Sequence, residues 1–315
     1  MPFVIKIASN TAELDGVISI RKACLQSMSG TTQANLSLLD QYDLYPDTLQ
    51  LLIQHESRIV GNFRCVEFNL EQAPLKELYD FSESYKNIQA NAACLDLFVL
   101  DENLPRFEWI WQQALSTALQ LLFRRHHQFA FAVIPEVCLS GLNKETLRIV
   151  DEAIQFRGSK WLPVIFDLVL FQKEFVQRIN DREILRFQEV FYTILFEPGE
   201  ILVVEGERGA TSYLILEGEV QVVAAKNDPV LRLKTIGAGN MIGEIAMVTN
   251  EARTASILAT KPTACIAMDR PDFMKSVAAQ PNKSVDMFKI FAKRIQEINQ
   301  RLIRGNETKE NNESK

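Results

Sequence analysis

Residues 241–257 contain Met241-Ile242-Gly243-Glu244-Ile245-Ala246-Met247 and, after a short spacer, Arg253-Thr254-Ala255-Ser256-Ile257. A glycine permits close backbone approach, and the turn after it exposes N–H groups at a helix start that lack an intrahelical acceptor. Arg253 lies nine positions beyond Glu244, far enough along the chain to return to the same point. Arginine offers a charge-assisted fork to a phosphate oxygen, and a carboxylate accepts from a sugar hydroxyl. The stretch therefore describes an anion cradle suited to a nucleotide monophosphate.

Outward from this cradle, Phe191 to Asp269 is a series of short apolar runs broken by Pro198-Gly199, Glu205-Gly206, Glu217-Gly218, Asp228-Pro229 and Gly237-Ala238-Gly239. Turn signals at that spacing predict an all-β sandwich or roll. Pro271 and Pro281 each open a helix, and Val285, Phe288, Phe291, Ile295, Ile298 and Leu302 give residues 282–304 one apolar stripe. Gly305 to Lys315 has no large apolar side chain and is predicted to be a disordered tail.

Upstream, a charged helical connector covers residues 172–189, and residues 1–171 alternate between strand and helix signals. Strands are predicted at Phe3–Ile7, Leu95–Leu100, Phe129–Ile134 and Val164–Phe171, with a hairpin of Thr48–Gln54 and Arg58–Phe68 about His55-Glu56-Ser57. Helices are predicted from Asn10 or Thr11 to about Met28, from Pro105 to about Arg125, and over Lys144–Phe156. The fold class is α+β, an α/β part followed by a β-roll with terminal helices.

A length of 315 residues fits two domains, and 47% hydrophobic with 23% charged residues is ordinary globular composition. The formal charge is −6 and the 34 basic residues are scattered, which excludes an electrostatic stripe for nucleic acid. Cys24, Cys65, Cys94, Cys138 and Cys265 lie far apart with no C-x-x-C pair, so neither a disulfide framework nor a zinc knuckle is expected, and the cytoplasm is. No metal site is predicted, because the adjacent His126 and His127 cannot face one metal from one helical face. The N-terminus lacks a basic and then apolar leader, and Pro163 and Asp167 interrupt the most apolar later stretch, so no signal peptide or membrane span is expected.

The cradle and the strand runs before it, Phe196-Glu197-Pro198-Gly199-Glu200-Ile201 and Tyr213-Leu214-Ile215-Leu216-Glu217-Gly218-Glu219-Val220, resemble the cyclic nucleotide-binding domain family over about residues 190–304. That family's cassette reads F-G-E-[LI]-A-[LM] and then P-R-[AT]-A-[ST]-[VI]; here Ile242 replaces the aromatic and Ala252 the proline. The resemblance implies cAMP or cGMP as ligand, with Glu244 on the ribose hydroxyl and Arg253 on the cyclic phosphate. Backbone groups around Gly243, Ile245, Ala246 and Ala255 would complete the cradle, and Thr254 leaves the base preference open. The terminal helix reads equally as a lid over the base or as a helix packed on the roll. No helix-turn-helix follows it, so a transcription factor of the catabolite-activator type is not expected.

The first half carries Arg21 on its first helix, Asp40-Gln41-Tyr42-Asp43 before the hairpin, and Val60-Gly61-Asn62-Phe63-Arg64 on its second strand. Two carboxylates and two arginines can form an ion-pair network that orders a substrate loop or holds a small amine. The pattern resembles the acyl-homoserine-lactone and N-acyl amino acid synthases, which have the GNAT acyltransferase fold, over about residues 1–170. The resemblance implies an acyl-CoA or acyl-carrier-protein donor, an amine acceptor, and a cleft where the strands Leu95–Leu100 and Phe129–Ile134 separate. Arg21, Asp40, Asp43 and Arg64 match its pattern, but the E-x-x-R of the next strand is absent from Ala93–Val99, which leaves Asp96 as the candidate base. The expected function is a cyclic-nucleotide-regulated acyltransferase. The alternative is a non-catalytic nucleotide sensor with a degenerate acyltransferase fold.

Overall fold

Local signals build most of the first half. Asn10 and Glu13 open the first helix as a reciprocal cap, the Glu13 amide donating to Asn10 Oδ1 at 3.0 Å and the Ser9 amide to Glu13 Oε2 at 2.6 Å. The hairpin turns at Glu56 and Ser57, whose φ values of 49° and 66° are those a tight two-residue connection requires. A computed structural model describes residues 1–27, 43, 48–66, 78–85, 91–156, 158–180, 192–224, 231–279 and six single positions between 282 and 296. The expectations for Asp40, most of residues 178–189, nearly all of the terminal helix, and the tail lie outside the described residues.

The first half runs β1 (Phe3–Ile7), α1 (Thr11–Ser27), β2 (Leu49–His55), β3 (Arg58–Val66), α2 (Ser82–Tyr85), β4 (Ala92–Leu100), α3 (Phe107–Arg124), β5 (Phe129–Pro135), a 3-10 turn, β6 (Leu147–Ile149), β7 (Ile154–Phe156), β8 (Ser159–Asp167) and α4 (Leu168–Gln177). The second half runs β9 (Tyr192–Phe196), β10 (Ile201–Val203), β11 (Thr211–Glu217), β12 (Glu219–Ala224), β13 (Leu231–Gly237), β14 (Met241–Ile242), α5 (Glu244–Thr249), β15 (Ser256–Ala259), β16 (Thr263–Asp269) and α6 (Arg270–Ala279).

One twelve-stranded sheet has the order β14-β11-β16-β9-β1-β2-β3-β4-β5-β8-β6, with β7 also on β8; a second sheet has the order β10-β15-β12-β13. The roll lies between part of the first sheet and the second, around Phe196, Leu202, Ile215, Val220 and Cys265. Its first strand, β9, is antiparallel to β1, with Phe3 opposite Leu195 and Ile5 opposite Thr193, so the two halves of the chain share one sheet. Helix α3 adds a second seam: Arg106 pairs with Glu197 at 2.9 Å, Gln113 donates to Glu217 at 2.7 Å, and the Thr117 and Thr193 hydroxyls are 2.9 Å apart.

β3 is clamped on both faces. Phe63 packs on Phe98 and Trp111 with ring centroids 4.8 and 5.6 Å apart, whereas Asn62 and Arg64 carry side chains to the α1 side. Burial of each such aromatic contributes about 1.5–3 kcal/mol.

Two expectations are corrected. Lys144–Phe156 forms no helix; it supplies β6 and β7, which pair with β8 at Leu147–Phe166 and Ile154–Trp161. Its apolar residues satisfy a helical period, yet the open edge of β8 offers main-chain partners that the local pattern does not reveal. The strand expected over Val164–Phe171 ends at Asp167, whose carboxylate caps α4 by accepting from the Leu170 amide at 2.9 Å. The apolar run passes straight through that boundary and conceals it.

Candidate functional site

β14 adds to β11 with Ile242 opposite Tyr213, and the chain then turns at Gly243 (φ 74°) into α5. Loop residues 206–208 pair with 252–253: the Gly206 amide donates to the Arg253 carbonyl at 2.8 Å and the Arg253 amide to the Glu207 carbonyl at 2.9 Å. This fixes the backbone of Arg253 and sends its side chain back toward Gly243. Nη1 donates to the Gly243 carbonyl at 2.6 Å and Nη2 to the Thr211 carbonyl. The guanidinium is 8% exposed and makes no ion pair among the described residues. Burial lowers its pKa from the usual guanidinium range, while the electrostatic influence of the Tyr213 phenol and of the Glu244 carboxylate acts the other way.

Two glycines make room for that guanidinium. A Cβ on Gly209 would stand 2.7 Å from Arg253 Nε, and one on Gly243 would stand 2.8 Å from Nη1. Glu244 and Ala246 are buried, Ala255 is half-buried, and Ile245 and Thr254 are exposed beside them. Gly243, Glu244, Ile245, Ala246 and Arg253 are thus brought to one turn. Thr211 extends the arrangement, because its hydroxyl donates to Asp269, which also accepts from Tyr192 of β9 at 2.7 Å. Gly209, Thr211 and Asp269 were not among the expected site residues. Gly209 belongs to the glycine-rich Glu205–Thr211 stretch, whereas a main-chain carbonyl such as that of Thr211 has no sequence signature.

A second polar cluster lies between α1 and the sheet. Arg21 Nη1 lies 3.0 Å from Asp43 Oδ2, Arg64 Nη1 lies 3.1 Å from Asp43 Oδ1, and Arg64 grips both oxygens of Asp96 at 2.9 and 2.6 Å. Arg21 also donates to Asn62 Oδ1 and Gln50 Oε1, and Gln50 Nε2 donates to Asp43 at 2.6 Å. Arg21, Arg64 and Asp96 are at most 5% exposed. The structure therefore unites Arg21, Asp43, Arg64 and Asp96. Gln50 and Asn62 are members that sequence reasoning missed; Asn62 was signalled only by lying two residues from Arg64, on the same strand face.

Asp96 occupies a distinctive point. β4 and β5 pair in parallel from Ala92–Phe129 to Leu95–Ala132 and no farther. Beyond that, β4 stays with β3 at Asn62–Val99 and Gly61–Leu100, and β5 stays with β8 at Val133–Pro163 and Ile134–Leu162. The two strands part immediately at Asp96, which leaves their facing backbone groups without each other.

Residues 193–280 match the family model of the cyclic nucleotide-binding domain. The chain is 31% identical over 150 residues to a cGMP-dependent protein kinase of Plasmodium berghei (strain Anka), a match covering 46% of this chain and 16% of the kinase. The chain thus spans well under two thirds of that relative. Among solved structures it is similar to a cyclic nucleotide-binding domain from Methylobacillus flagellatus, with 28% identity, 34% of this chain and 63% of that one covered, and a TM-score of 0.31. It is also similar to FeeM, an N-acyl amino acid synthase from uncultured soil microbes, with 11% identity, 55% and 95% covered, and a TM-score of 0.44. The C-terminal part is a cyclic nucleotide-binding β-roll, and the 241–257 cradle lies within the matched residues. Among the described residues no helix is long and apolar enough to cross a membrane, and no group of His, Cys, Asp and Glu side chains could hold a metal ion.

Proposed function

We propose that this chain is a cyclic-nucleotide-regulated acyltransferase of the cytoplasm. The roll binds cAMP or cGMP. The first half, of GNAT-like fold, is the regulated unit and uses an acyl-CoA or acyl-carrier-protein donor and an amine acceptor.

The observation that carries the first part is the state of Arg253: a buried cation held by two neutral carbonyls. Glu244 acts on that charge only through space, burying a charge without a directly paired counter-ion is costly, and a cyclic phosphate placed at the cradle would supply one. Glu244, at the first position of α5, takes the ribose hydroxyl.

The parting of β4 and β5 at Asp96 supports the second part. Where the two parallel strands part, the main chain facing the gap can meet the pantetheine arm of an acyl donor, next to a carboxylate. Asp43, Arg21 and Arg64 form the charged cluster that holds that carboxylate in place. Regulation follows from two physical links: Thr211 connects the Arg253 carbonyl contacts to Asp269 and Tyr192, and β9 is paired with β1.

One observation favours a second reading. Both oxygens of Asp96 are engaged by Arg64, so taking up an amine proton costs the carboxylate the charge that strengthens both of those bonds. On this reading the first half binds an acyl ligand without turning it over.

The test is a reciprocal titration on the full chain. Saturating octanoyl-CoA is expected to shift the cAMP or cGMP dissociation constant by about 5–150-fold, with an equal shift in the converse titration, since binding linkage is symmetric. Nucleotide-dependent release of CoA thiol in the presence of an amine supports transfer, and linkage without thiol release supports the second reading. An unchanged nucleotide constant would remove the regulation.

A further inference from the structure

A cavity of about 290 Å³ opens between α3, the loop 141–146, α4 and the end of β11. It shares no residue with the 241–257 cradle, with β4 or β5, or with the buried Arg–Asp cluster. One side is apolar, built by Leu119, Phe166, Phe171, Phe175 and Leu216. Its volume equals about ten water molecules at their liquid volume, enough for a one-ring ligand. Cavities at the junction of two structural units are common ligand sites.

The polar side has a definite sense. Gln113 Nε2 donates to Glu217 Oε2 at 2.7 Å, Asn143 Nδ2 to Glu174 Oε2 at 2.7 Å, and Gln112 Nε2 to the Ser140 carbonyl. All three partners accept only, which fixes the nitrogen end of each amide. Gln112 and Gln113 both line the cavity, and their carbonyl oxygens remain as acceptors. Glu174 is neutralised by Arg178. Glu217, which is exposed, is not: Oε2 accepts from Gln113 and from Trp109 at 3.3 Å, and no cation pairs with it among the described residues. Two carboxylates and one guanidinium leave the lining with one net negative charge.

We propose that this cavity is a second ligand site, taking a small amphipathic amine. The apolar body lies against Phe166, Phe171 and Phe175, and the ammonium lies between Gln113 Oε1 and Glu217 Oε1. An anion is disfavoured by the carboxylate, and a purely apolar ligand makes no use of the acceptors, which then stay with solvent. Because Glu217 comes from the roll and the aromatic residues from the first half, the ligand spans both. This inference depends on neither nucleotide binding nor acyl transfer.

The probe is phenethylamine, titrated into the full chain by calorimetry with saturation-transfer NMR, against phenylacetate and phenethyl alcohol. Saturable binding of the amine is expected at about millimolar dissociation constant or tighter, as befits so small a ligand. Both controls should bind at least about tenfold more weakly. Glu217→Gln keeps an acceptor for Trp109 and Gln113 but removes the charge, and should weaken the amine by about tenfold. Ser116→Phe fills the cavity and should abolish binding; if circular dichroism shows that variant unfolded, Glu217→Gln decides alone. Absence of saturable binding, equal affinity for the three probes, or wild-type affinity in Glu217→Gln overturns the proposal.

Discussion

Arg64 in the first half and Arg253 in the roll are both buried arginines, and they are held in opposite ways. Arg64 sits between Asp43 and Asp96, in a cluster where two guanidinium groups face two carboxylates. Arg253 sits on two carbonyl oxygens and meets no carboxylate within ion-pair distance among the described residues. Burial alone therefore does not identify a ligand-binding charge. A closed set of charges is a structural brace, and a cation satisfied only by dipoles has capacity left for an anion.

The largest effect should come from breaking the brace. Asp96→Ala leaves Arg64 buried with half its carboxylate partners, and removing one member of a buried pair costs about 3–5 kcal/mol. Urea unfolding of the full chain should show that loss; a change below about 1 kcal/mol would mean that the cluster is wetter than its geometry indicates and that the contrast with Arg253 is false.

Arg253→Met should be milder for the fold. It orphans two carbonyls, a cost of about 1–3 kcal/mol, yet it should weaken cAMP or cGMP binding at least about tenfold. Asp96→Ala should leave nucleotide affinity nearer to wild type. Reversal of that order, with the nucleotide lost in Asp96→Ala and kept in Arg253→Met, breaks the assignment of roles.

Gly209→Ala sharpens the comparison further. The new methyl meets the Arg253 guanidinium and forces it off its rotamer, at about 0.5–1.5 kcal/mol, so nucleotide affinity should fall by a few fold while urea stability changes little. The equivalent affinity in wild type and variant would mean that the guanidinium position seen here is not the one that binds.

The smallest effect lies at the β1–α1 junction, away from both arginines. Burial pushes the Glu13 pKa up, but the bonds from Lys6 and Ser9 outweigh it and hold the carboxyl at about 2. Since the folded value is depressed, this contribution is present above the unfolded pKa near 4.5 and is lost as pH falls from there toward 2. Glu13→Gln should cost roughly 0.3–1 kcal/mol at neutral pH, and the difference from wild type should vanish near pH 2. A difference that persists at that acidity contradicts the cap.

Legibility followed the range of the forces involved. The Asn10 cap, the His55-Glu56-Ser57 turn and the roll's turns depend on neighbours in sequence, so residue type and spacing are enough to read them. Arg21, Asp43 and Arg64 are readable through their motif, but Asp96 stands outside it, and the bidentate grip of Arg64 on Asp96 depends on the register of β3 against β4. The strands β6 and β7 are not legible because their apolar residues suit a helix, and only the edge of β8, on which both pair, decides otherwise. The pairing of β9 with β1 joins Phe3 to Leu195, far apart in the sequence, and no local signal announces it. The Thr211 contact was hidden because it is made by a backbone carbonyl.

The central claim is that Arg253 is a cation awaiting an anion. Isothermal titration of cAMP and of cGMP into the full-length wild type and Arg253→Met, at matched salt and with folding checked by circular dichroism, tests it most directly. The account predicts saturable binding of at least one of the two nucleotides to the wild type, about micromolar, with at least about tenfold loss in the variant. No binding of either nucleotide to the wild type, or equal affinity in the two proteins, would contradict it.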